Sequence, residues 1–233
     1  GYEGRMVGSL GDAAAFSFNY YKNMTCGEGG AVVCQDPKAA QRAECLLECC
    51  SFYWTGHKKG FRPFASVGSR ASEFEGAILN AQLDRLGGMI RTCRRLKKRL
   101  LADTADCGLT QAPCHSLDGE CGISAVYQLP TAEQGAAFAE KAGGVQLSNT
   151  GRHNYTEWDP ILERRGSHHP ALDPFQMPQN AGCRMNYTPE MCSRSLEIVS
   201  RSVRIALHPD MKAADRNALA KRIRQVAGEV VGH

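Results

Sequence analysis

The 233-residue sequence predicts an α/β chain in two parts, and three observations carry this prediction. Two short apolar segments on either side of a glycine-containing turn predict a pair of strands, Ala13–Phe18 and Gly30–Cys34. A long run with apolar residues every three to four positions then predicts an amphipathic helix. From about Cys107 short strand and helix patterns alternate, as in a small α+β domain. We therefore expect one part at residues 1–86 and the other at residues 87–233.

The loop between the two predicted strands carries one lysine, Lys22. A lysine at the end of a buried strand is poorly solvated, and desolvation favours its neutral amine. A neutral amine is a nucleophile of the kind that forms Schiff bases. The alternative interpretation is a solvated lysine in a hairpin loop, where most lysines are exposed.

The string F-S-F-N-Y-Y-K-N-M-T-C-G-E-G-G-A-V-V resembles the lysine segment of the DegT/DnrJ/EryC1/StrS family, whose members are pyridoxal-phosphate-dependent aminotransferases acting on sugars and cyclitols. The resemblance implies fold type I, the fold of aspartate aminotransferase. Residues 1–86 would then be the C-terminal portion of the large cofactor-binding domain, and residues 87–233 the small C-terminal domain. It also implies that Lys22 forms the internal aldimine with pyridoxal 5'-phosphate and that Ser17 contacts the cofactor phosphate.

The segment after the second strand predicts a helix that starts at Asp36-Pro37 and runs to about Cys50. Its buried face is expected to comprise Ala39, Ala43, Leu46, Leu47 and Cys50. Residues 51–69 show no periodicity, so this stretch is either a surface loop or part of a functional site.

Ser72 followed by Glu75 forms a capping box and predicts the start of the long helix. An amphipathic helix is expected, because the following residues recur every three to four positions: Phe74, Ile78, Ala81, Arg85, Met89, Cys93, Leu96 and Leu100. Gly87-Gly88 predicts a break within it.

The sequence G-S-R-A-S-E just before this helix resembles a family segment that reaches into the active site of the partner subunit. The resemblance implies a homodimer with shared sites, in which Arg70 binds an anionic group of the substrate or donor. Gly68 stands where the family has an asparagine that contacts the cofactor phosphate, so Ser69 is the candidate for that contact.

The second part contains three strand patterns and two helix patterns. We expect strands at Ile123–Leu129, Val145–Leu147 and Val203–Leu207, and helices at Thr131–Ala142 and Met211–Val231, with Thr131 as an N-cap. The segment I-A-L-H-P-D-M at residues 205–211 resembles the family sequence before its last helix.

An aperiodic loop at residues 151–187 is rich in side chains that form hydrogen bonds. In the family, a loop containing histidine and tyrosine at about this place borders the substrate, which implies substrate-binding roles for His153 and Tyr155. His168 and His169 are adjacent, and adjacent histidines seldom ligate one ion, so we expect no metal site here.

Charge, apolar runs and cysteine spacing indicate which partners and which cellular location to expect. The net charge of +4 is mild, and the basic stretch Arg91–Arg99 is either a nucleic-acid surface or, as we favour, the solvated face of a helix. No apolar run approaches the roughly 20 residues of a membrane span. The eleven cysteines show no C-x-x-C pair and no histidine cluster that would complete a zinc pattern. We expect reduced thiols in a cytoplasmic protein that binds neither metal, nucleic acid nor membrane.

The resemblance implies an enzyme that transfers an amino group from glutamate or glutamine to a keto-sugar, a keto-cyclitol or a related ketosugar acid, as in amino-sugar and secondary-metabolite biosynthesis. It covers only the C-terminal part of the family, and it implies a preceding part with a phosphate-binding loop, a ring-stacking aromatic residue and an aspartate at the pyridine nitrogen. A non-catalytic regulatory or structural protein on the same scaffold is the alternative. A dehydratase of the same family would need the lysine replaced, typically by histidine, so Lys22 argues against it.

Overall fold

The computed structural model of the protein describes residues 2–54 and 61–232, and the chain packs into two compact units. Unit 1 comprises Gly1–Thr92 with His115–Cys121, and unit 2 comprises Cys93–Cys114 with Gly122–His233. The expected domain boundary after residue 86 stays a prediction. In the described part of the chain, no helix combines the length and the apolar character needed to cross a bilayer.

Unit 1 begins with a two-stranded antiparallel sheet. Strands β1 (Ala13–Ser17) and β2 (Gly30–Cys34) pair from Ala13 opposite Cys34 to Ser17 opposite Gly30. These bounds agree with the prediction to within one residue. The expectation that β1 is buried is wrong, because only Ala14 of its five residues is even partly covered.

Helix α1 (Pro37–Leu47) follows β2 and packs against it. Asp36 caps its first turn by accepting the Lys38 N–H at 3.1 Å, as expected for an Asp-Pro start. The predicted buried face is wrong, since Leu46 and Leu47 are exposed and Cys45 is buried instead. The Cys45 thiol meets the segment that precedes the next long helix, accepting the Phe64 N–H at 3.3 Å.

Helix α2 (Ser51–Trp54) is a single turn within the aperiodic stretch. Phe52 is fully buried and stacks on Phe61 with 4.9 Å between ring centroids. Residues 55–60 of this stretch lie outside the described residues. For them, the choice between a surface loop and a functional site stays a prediction.

Helix α3 (Glu73–Asp103) is continuous over 31 residues, so the predicted break at Gly87-Gly88 is wrong. Two glycines cost about 1 kcal/mol each relative to alanine, which the rest of a long helix offsets. The capping box is confirmed: Glu75 accepts the Ser72 N–H at 2.5 Å, and Ser72 Oγ accepts the Glu75 N–H at 3.2 Å. Lys97 is only 7% exposed, so the basic stretch is not wholly a solvated face.

Unit 2 is built on a four-stranded antiparallel sheet. Its strands are β3 (Thr110–Gln111), β4 (Ser124–Gln128), β5 (Val145–Gln146) and β6 (Ser202–Ala206), in the order β3-β4-β6-β5. The strand β3 was not predicted, whereas the other three agree with their predictions to within two residues.

Two helices close this sheet into a core. Helices α4 (Ala132–Ala142) and α7 (Ala213–Val231) pack on each other, and α4 packs on β6. Thr131 caps α4 by accepting the Gln134 N–H at 3.2 Å, which confirms the predicted cap. The core comprises, among others, Leu100, Ala125, Tyr127, Phe138, Val203, Ile205 and Ile223.

The long loop of unit 2 consists of short turns, with helix α5 (Asp159–Leu162) among them and helix α6 (Ser193–Ser200) at its end. One anchor of the loop is Asp173, which is buried and accepts the Phe175 N–H at 2.9 Å and the Gln176 amide at 2.5 Å. Helix α6 was not predicted.

Candidate active site

The loop that carries Lys22 is held by the ends of the β1–β2 hairpin. Phe18 donates its N–H to Gly29 at 2.8 Å and accepts the Cys26 N–H at 3.0 Å, which extends the hairpin pairing beyond the strands. At the tip, the Lys22 N–H donates to the Asn19 carbonyl at 3.0 Å and closes a tight turn. The backbone of Lys22 is therefore fixed, while its side chain leaves the turn.

Gly30 is required by the close approach of the two strands. A Cβ at this position would lie 2.8 Å from the Phe16 carbonyl oxygen, which is shorter than real Cβ contacts. Within the G-E-G-G sequence, this glycine thus sets the register that places Ser17 and Lys22 at the same end of the hairpin.

Lys22 and Ser17 are both exposed. The expectation that Lys22 is desolvated by a buried strand is wrong for this chain, because the strand itself is open to solvent. Ser17 Oγ accepts the Asn19 N–H at 3.4 Å, and its own proton remains available to an acceptor. The hairpin thus presents an accessible amine and an accessible hydroxyl at one end.

Ser69 and Arg70 lie on a different segment of unit 1, docked on the C-terminal end of α1. The Ser69 N–H donates to the Leu47 carbonyl at 2.9 Å, and its hydroxyl donates to the Gly68 carbonyl at 2.7 Å. Arg70 Nε lies 2.9 Å from Glu48 Oε2, and the arginine side chain remains 69% exposed. Its guanidinium therefore has one carboxylate partner and further donors facing solvent.

Gly68 has a left-handed backbone conformation, with φ at +75°. Glycine and, less readily, asparagine are the residues that adopt this conformation. The backbone here accepts both, so glycine in place of asparagine removes an amide side chain without requiring a different chain path.

His153 and Tyr155 border an open cavity of about 350 Å³ in unit 2. The Tyr155 hydroxyl donates to the Pro189 carbonyl at 2.5 Å and accepts the Cys192 N–H at 3.1 Å, which ties the loop to the start of α6. The Trp158 indole N–H donates to the Arg152 carbonyl at 2.8 Å. The polar ends of both rings are thus used within the protein. The cavity is lined by Leu147, His153, Asn154, Tyr155, Trp158, Cys192, Ser195, Leu196 and Val199.

The imidazole of His153 has a defined tautomer. Its Nδ1 lies 3.0 Å from the Thr150 carbonyl oxygen, which can only accept, so Nδ1 carries the proton. In the neutral ring Nε2 is then an acceptor, able to take a hydrogen bond from a ligand hydroxyl.

Sequence reasoning missed the residues that α6 contributes to this cavity. Ser195, Leu196 and Val199 come from an eight-residue helix that has no side-chain cap, and Cys192 immediately precedes it. The spacing of Leu196 and Val199 was the available signal, but three apolar residues in a short polar run are weak evidence for a helix. The pairing of Glu48 with Arg70 was likewise not predicted, since the two residues lie on different elements.

Comparison with known proteins identifies one family for most of the chain. Residues 1–158 match the model of the DegT/DnrJ/EryC1/StrS aminotransferase family. The L-glutamine:scyllo-inosose aminotransferase of Streptomyces griseus is 35% identical over 117 residues, which cover 47% of this chain and 28% of that protein. The dTDP-3-amino-3,6-dideoxy-alpha-D-galactopyranose transaminase of Aneurinibacillus thermoaerophilus is 42% identical over 86 residues, covering 36% of this chain and 22% of that protein.

Among solved structures, the E. coli GDP-4-keto-6-deoxy-D-mannose-3-dehydratase with bound hydrated PLP is similar with a TM-score of 0.69. It is 15% identical in sequence, and the match covers 96% of this chain and 57% of that one. This likeness shows the fold, that of a PLP-dependent enzyme of fold type I. The chain spans little more than half the length of this solved structure. The aligned residues cover about a quarter of the length of each of the two curated relatives.

Proposed function

This chain belongs to the DegT/DnrJ/EryC1/StrS aminotransferase family, and from that premise we propose that it carries the lysine-bearing part of a pyridoxal-phosphate-dependent aminotransferase. The amino donor is glutamate or glutamine, and the acceptor is a keto-sugar, a keto-cyclitol or a related ketosugar acid. Support comes from the names of two relatives. One name contains L-glutamine and the cyclitol scyllo-inosose, and the other contains a dTDP-linked amino sugar.

The observation that carries the proposal is the hairpin end with Lys22 and Ser17. An accessible primary amine can bond to the aldehyde of the cofactor, and an accessible hydroxyl can donate to its phosphate. The chemistry of this donor set therefore fits pyridoxal 5'-phosphate. When bound, the cofactor supplies an electron-accepting ring that stabilises negative charge at the donor's α-carbon.

Lys22 has a second role in the proposal. With the cofactor bound, the Lys22 amine would take a proton from the α-carbon of the amino donor and later give it back, as general base and then general acid. The turn closed by the Lys22 N–H holds the backbone of this residue in place, so only the flexible side chain has to move.

Ser69 and Arg70 are proposed to act in a homodimer in which each subunit contributes to its partner's site. Ser69 is the proposed phosphate contact in place of the missing asparagine amide, with its hydroxyl proton turning from the Gly68 carbonyl to the phosphate. Arg70 is the proposed contact for a carboxylate of the donor or acceptor, since a guanidinium matches a carboxylate with two hydrogen bonds. Its exposed donors and the exposed N-terminal half of α3 support this proposal.

In unit 2, we assign the substrate-facing role to His153 and Tyr155. His153 Nε2 would accept from a substrate hydroxyl, whereas Tyr155 would contribute its ring and the shape of the loop, because its hydroxyl is already used. A polyhydroxylated acceptor suits a cavity with few polar groups at defined positions. A cytoplasmic location, in which the eleven cysteines stay reduced, completes the proposal.

The covalent role of Lys22 is tested by trapping. The chain is incubated with pyridoxal phosphate, reduced with borohydride and digested, and the modified lysine is identified by peptide mass spectrometry. We expect modification at Lys22 well above other lysines, its loss in Lys22→Arg, and no change in Lys38→Arg, a control at an exposed lysine on α1. Equal modification of all exposed lysines would contradict the assignment.

Amino transfer is tested separately, with glutamine and a panel of keto-sugars and keto-cyclitols. We expect Lys22→Ala to lower the rate about 10²- to 10⁴-fold, the range for loss of a positioned general acid–base group. Trapping at Lys22 without amino transfer would favour the non-catalytic alternative. Loss of a hydroxyl from the substrate without transfer of nitrogen would indicate a dehydratase.

A further inference from the structure

The corner between α1 and α2 brings together three side chains that can ligate a metal ion. Glu48, Cys49 and Cys50 each offer one atom, a carboxylate oxygen or a thiol sulfur, and these atoms all lie within 4.8 Å of one another. Among the residues that the structure describes, this is the one group of three or more such side chains that meets that distance. We propose that this corner binds a thiophilic divalent cation of the zinc class.

The distances suit a single ion. Zinc binds thiolate sulfur at about 2.3 Å and carboxylate oxygen at about 2.0–2.2 Å, so two sulfurs on a tetrahedral zinc lie about 3.8 Å apart. Donor atoms within 4.8 Å of one another reach this arrangement by small side-chain rotations. The fourth position is left for water, because the corner is open: Cys49 is half-buried and Cys50 is exposed.

The carboxylate of Glu48 is already oriented by neighbouring donors. The Cys50 N–H donates to Glu48 Oε1 at 2.9 Å, and Arg70 Nε lies 2.9 Å from Oε2. A carboxylate oxygen carries two lone pairs, so the same oxygen can accept a hydrogen bond and bind a metal ion. Partners of this kind around a ligand fix its direction and raise metal affinity.

The charge of the three ligands favours a divalent cation. Two thiolates and one carboxylate carry three negative charges, and the Arg70 guanidinium beside Glu48 carries one positive charge. The sulfur donors select zinc-class ions over magnesium or calcium, which prefer oxygen ligands. The adjacent cysteines Cys49 and Cys50 did not by themselves indicate this site. The third donor, Glu48, precedes them and is positioned by the end of α1.

Zinc binding at this corner would stabilise the elements that meet there. The segment that carries Arg70 is docked on the same end of α1 through the Ser69 N–H and the Ser66 hydroxyl, which donates to the Cys45 carbonyl at 3.0 Å. Because Glu48, Cys49 and Cys50 are consecutive, a cation across them would order the turn that follows α1, and Glu48 links this turn to the segment through Arg70. The site does not depend on the proposed amino transfer.

The experiment uses the full chain, reduced and freed of metal with a chelator. Zinc is titrated against a chromophoric chelator, and cobalt is added separately as an optical probe for thiolate ligation. We expect about one equivalent of zinc, a thiolate-to-cobalt absorption band, and a higher thermal midpoint in the presence of zinc, because a ligand that binds the folded state stabilises it.

Matched variants decide the result. We expect Cys49→Ser/Cys50→Ser to abolish binding, the cobalt band and the thermal shift, and Glu48→Gln to weaken zinc binding about tenfold or more. Cys114→Ser and Cys183→Ser, at exposed cysteines outside the corner, should bind as the unmodified chain does. Unchanged zinc binding in the double variant would overturn the proposal, as would a chain that binds no zinc in any form.

Discussion

The two units of this chain differ in how their apolar residues are covered. In unit 2 the apolar faces of β4, β6, α4 and α7 meet in a closed core. In unit 1 comparable side chains are open to solvent, and they include Phe16, Val32, Val33, Leu46, Leu47, Phe74, Ile78 and Leu83. Exposed apolar area on this scale is typical of an interface surface. Apolar periodicity therefore identifies a face that is to be covered, but it does not identify what covers it.

The two units also differ in whether their key residues are proposed for catalysis or pack in a core. The residues proposed for the cofactor, Ser17, Lys22 and Ser69, lie on the open unit, and each is positioned by backbone hydrogen bonds. Unit 2 has an open cavity that is lined by α6 and by the loop before it. Mutations in the two units should accordingly be read with different assays, activity for unit 1 and unfolding for unit 2.

The largest expected difference between the two units is at two phenylalanines. Phe138 is fully buried in the core of unit 2, whereas Phe74 on α3 is 84% exposed. We expect Phe138→Ala to lower the free energy of unfolding of unit 2 by about 3–5 kcal/mol, the usual cost of a large core cavity. We expect Phe74→Ala to change the free energy of unfolding of unit 1 by less than about 0.5 kcal/mol. Urea denaturation followed by Trp158 fluorescence in a Trp54→Phe background measures unit 2, and Trp54 fluorescence in a Trp158→Phe background measures unit 1.

An equal loss in the two variants would show that the Phe74 face is covered in solution. Repeating the measurement over a range of protein concentrations then identifies self-association as the cause, because the stability of an oligomer depends on the concentration of its subunits.

A smaller effect concerns pH. Burial in the core raises the pKa of the Tyr127 phenol above its usual value near 10, partly offset by its hydrogen bond with Thr104 at 2.8 Å. Because the folded-state pKa is raised, stability is fully present below the unfolded-state pKa and falls as pH rises from about 10 through the folded-state pKa. The expected slope is about 1.4 kcal/mol per pH unit.

Tyr127→Phe should flatten this alkaline loss, at a cost of about 1 kcal/mol at neutral pH for the lost hydrogen bond. Tyr20→Phe, on the exposed lysine loop, is the matched control and should leave the alkaline dependence unchanged. Thermal midpoints measured from neutral pH upward test both variants, and an unaltered alkaline loss in Tyr127→Phe would assign it to another group.

The smallest expected effect compares two helix caps. Thr131→Ala removes the cap of α4 and should lower the stability of unit 2 by about 1 kcal/mol. Asp36→Ala removes the cap of α1 in unit 1 and should leave the exchange of β4 and β6 amides unchanged. Hydrogen exchange read by mass spectrometry resolves the two elements. Faster exchange in β4 and β6 on loss of the Asp36 cap would mean that the units unfold together.

Local signals in the sequence predicted much of this fold. The Thr131 cap and the capping box at Ser72 each join residues three positions apart, and both were confirmed. The two strands of the hairpin, predicted from the apolar runs that form them, were also confirmed. The break at Gly87-Gly88 was predicted from the same kind of signal and was wrong, because the helix on both sides outweighs the local cost of glycine.

Contacts between residues that are distant in the sequence could not be predicted. Examples are the burial of residues on α1, the ion pair of Glu48 with Arg70, and the residues of α6 that line the cavity. Each of these depends on residues of separate elements. Lys22 was found because its neighbours form an ordered string that resembles one family, and its predicted burial was wrong because the strand beside it is uncovered.

The left-handed backbone at Gly68 has a consequence for how this protein can change. A Cβ at that position would sit 3.6 Å from the Leu47 carbonyl oxygen, which is an ordinary contact, so the surroundings leave space for a Cβ. Asparagine tolerates the left-handed backbone better than other residues with a side chain, at some cost in strain. In the proposed homodimer, an amide at residue 68 could thus be lost or regained at this one position, which would change a subunit's share in its partner's site while the fold persists.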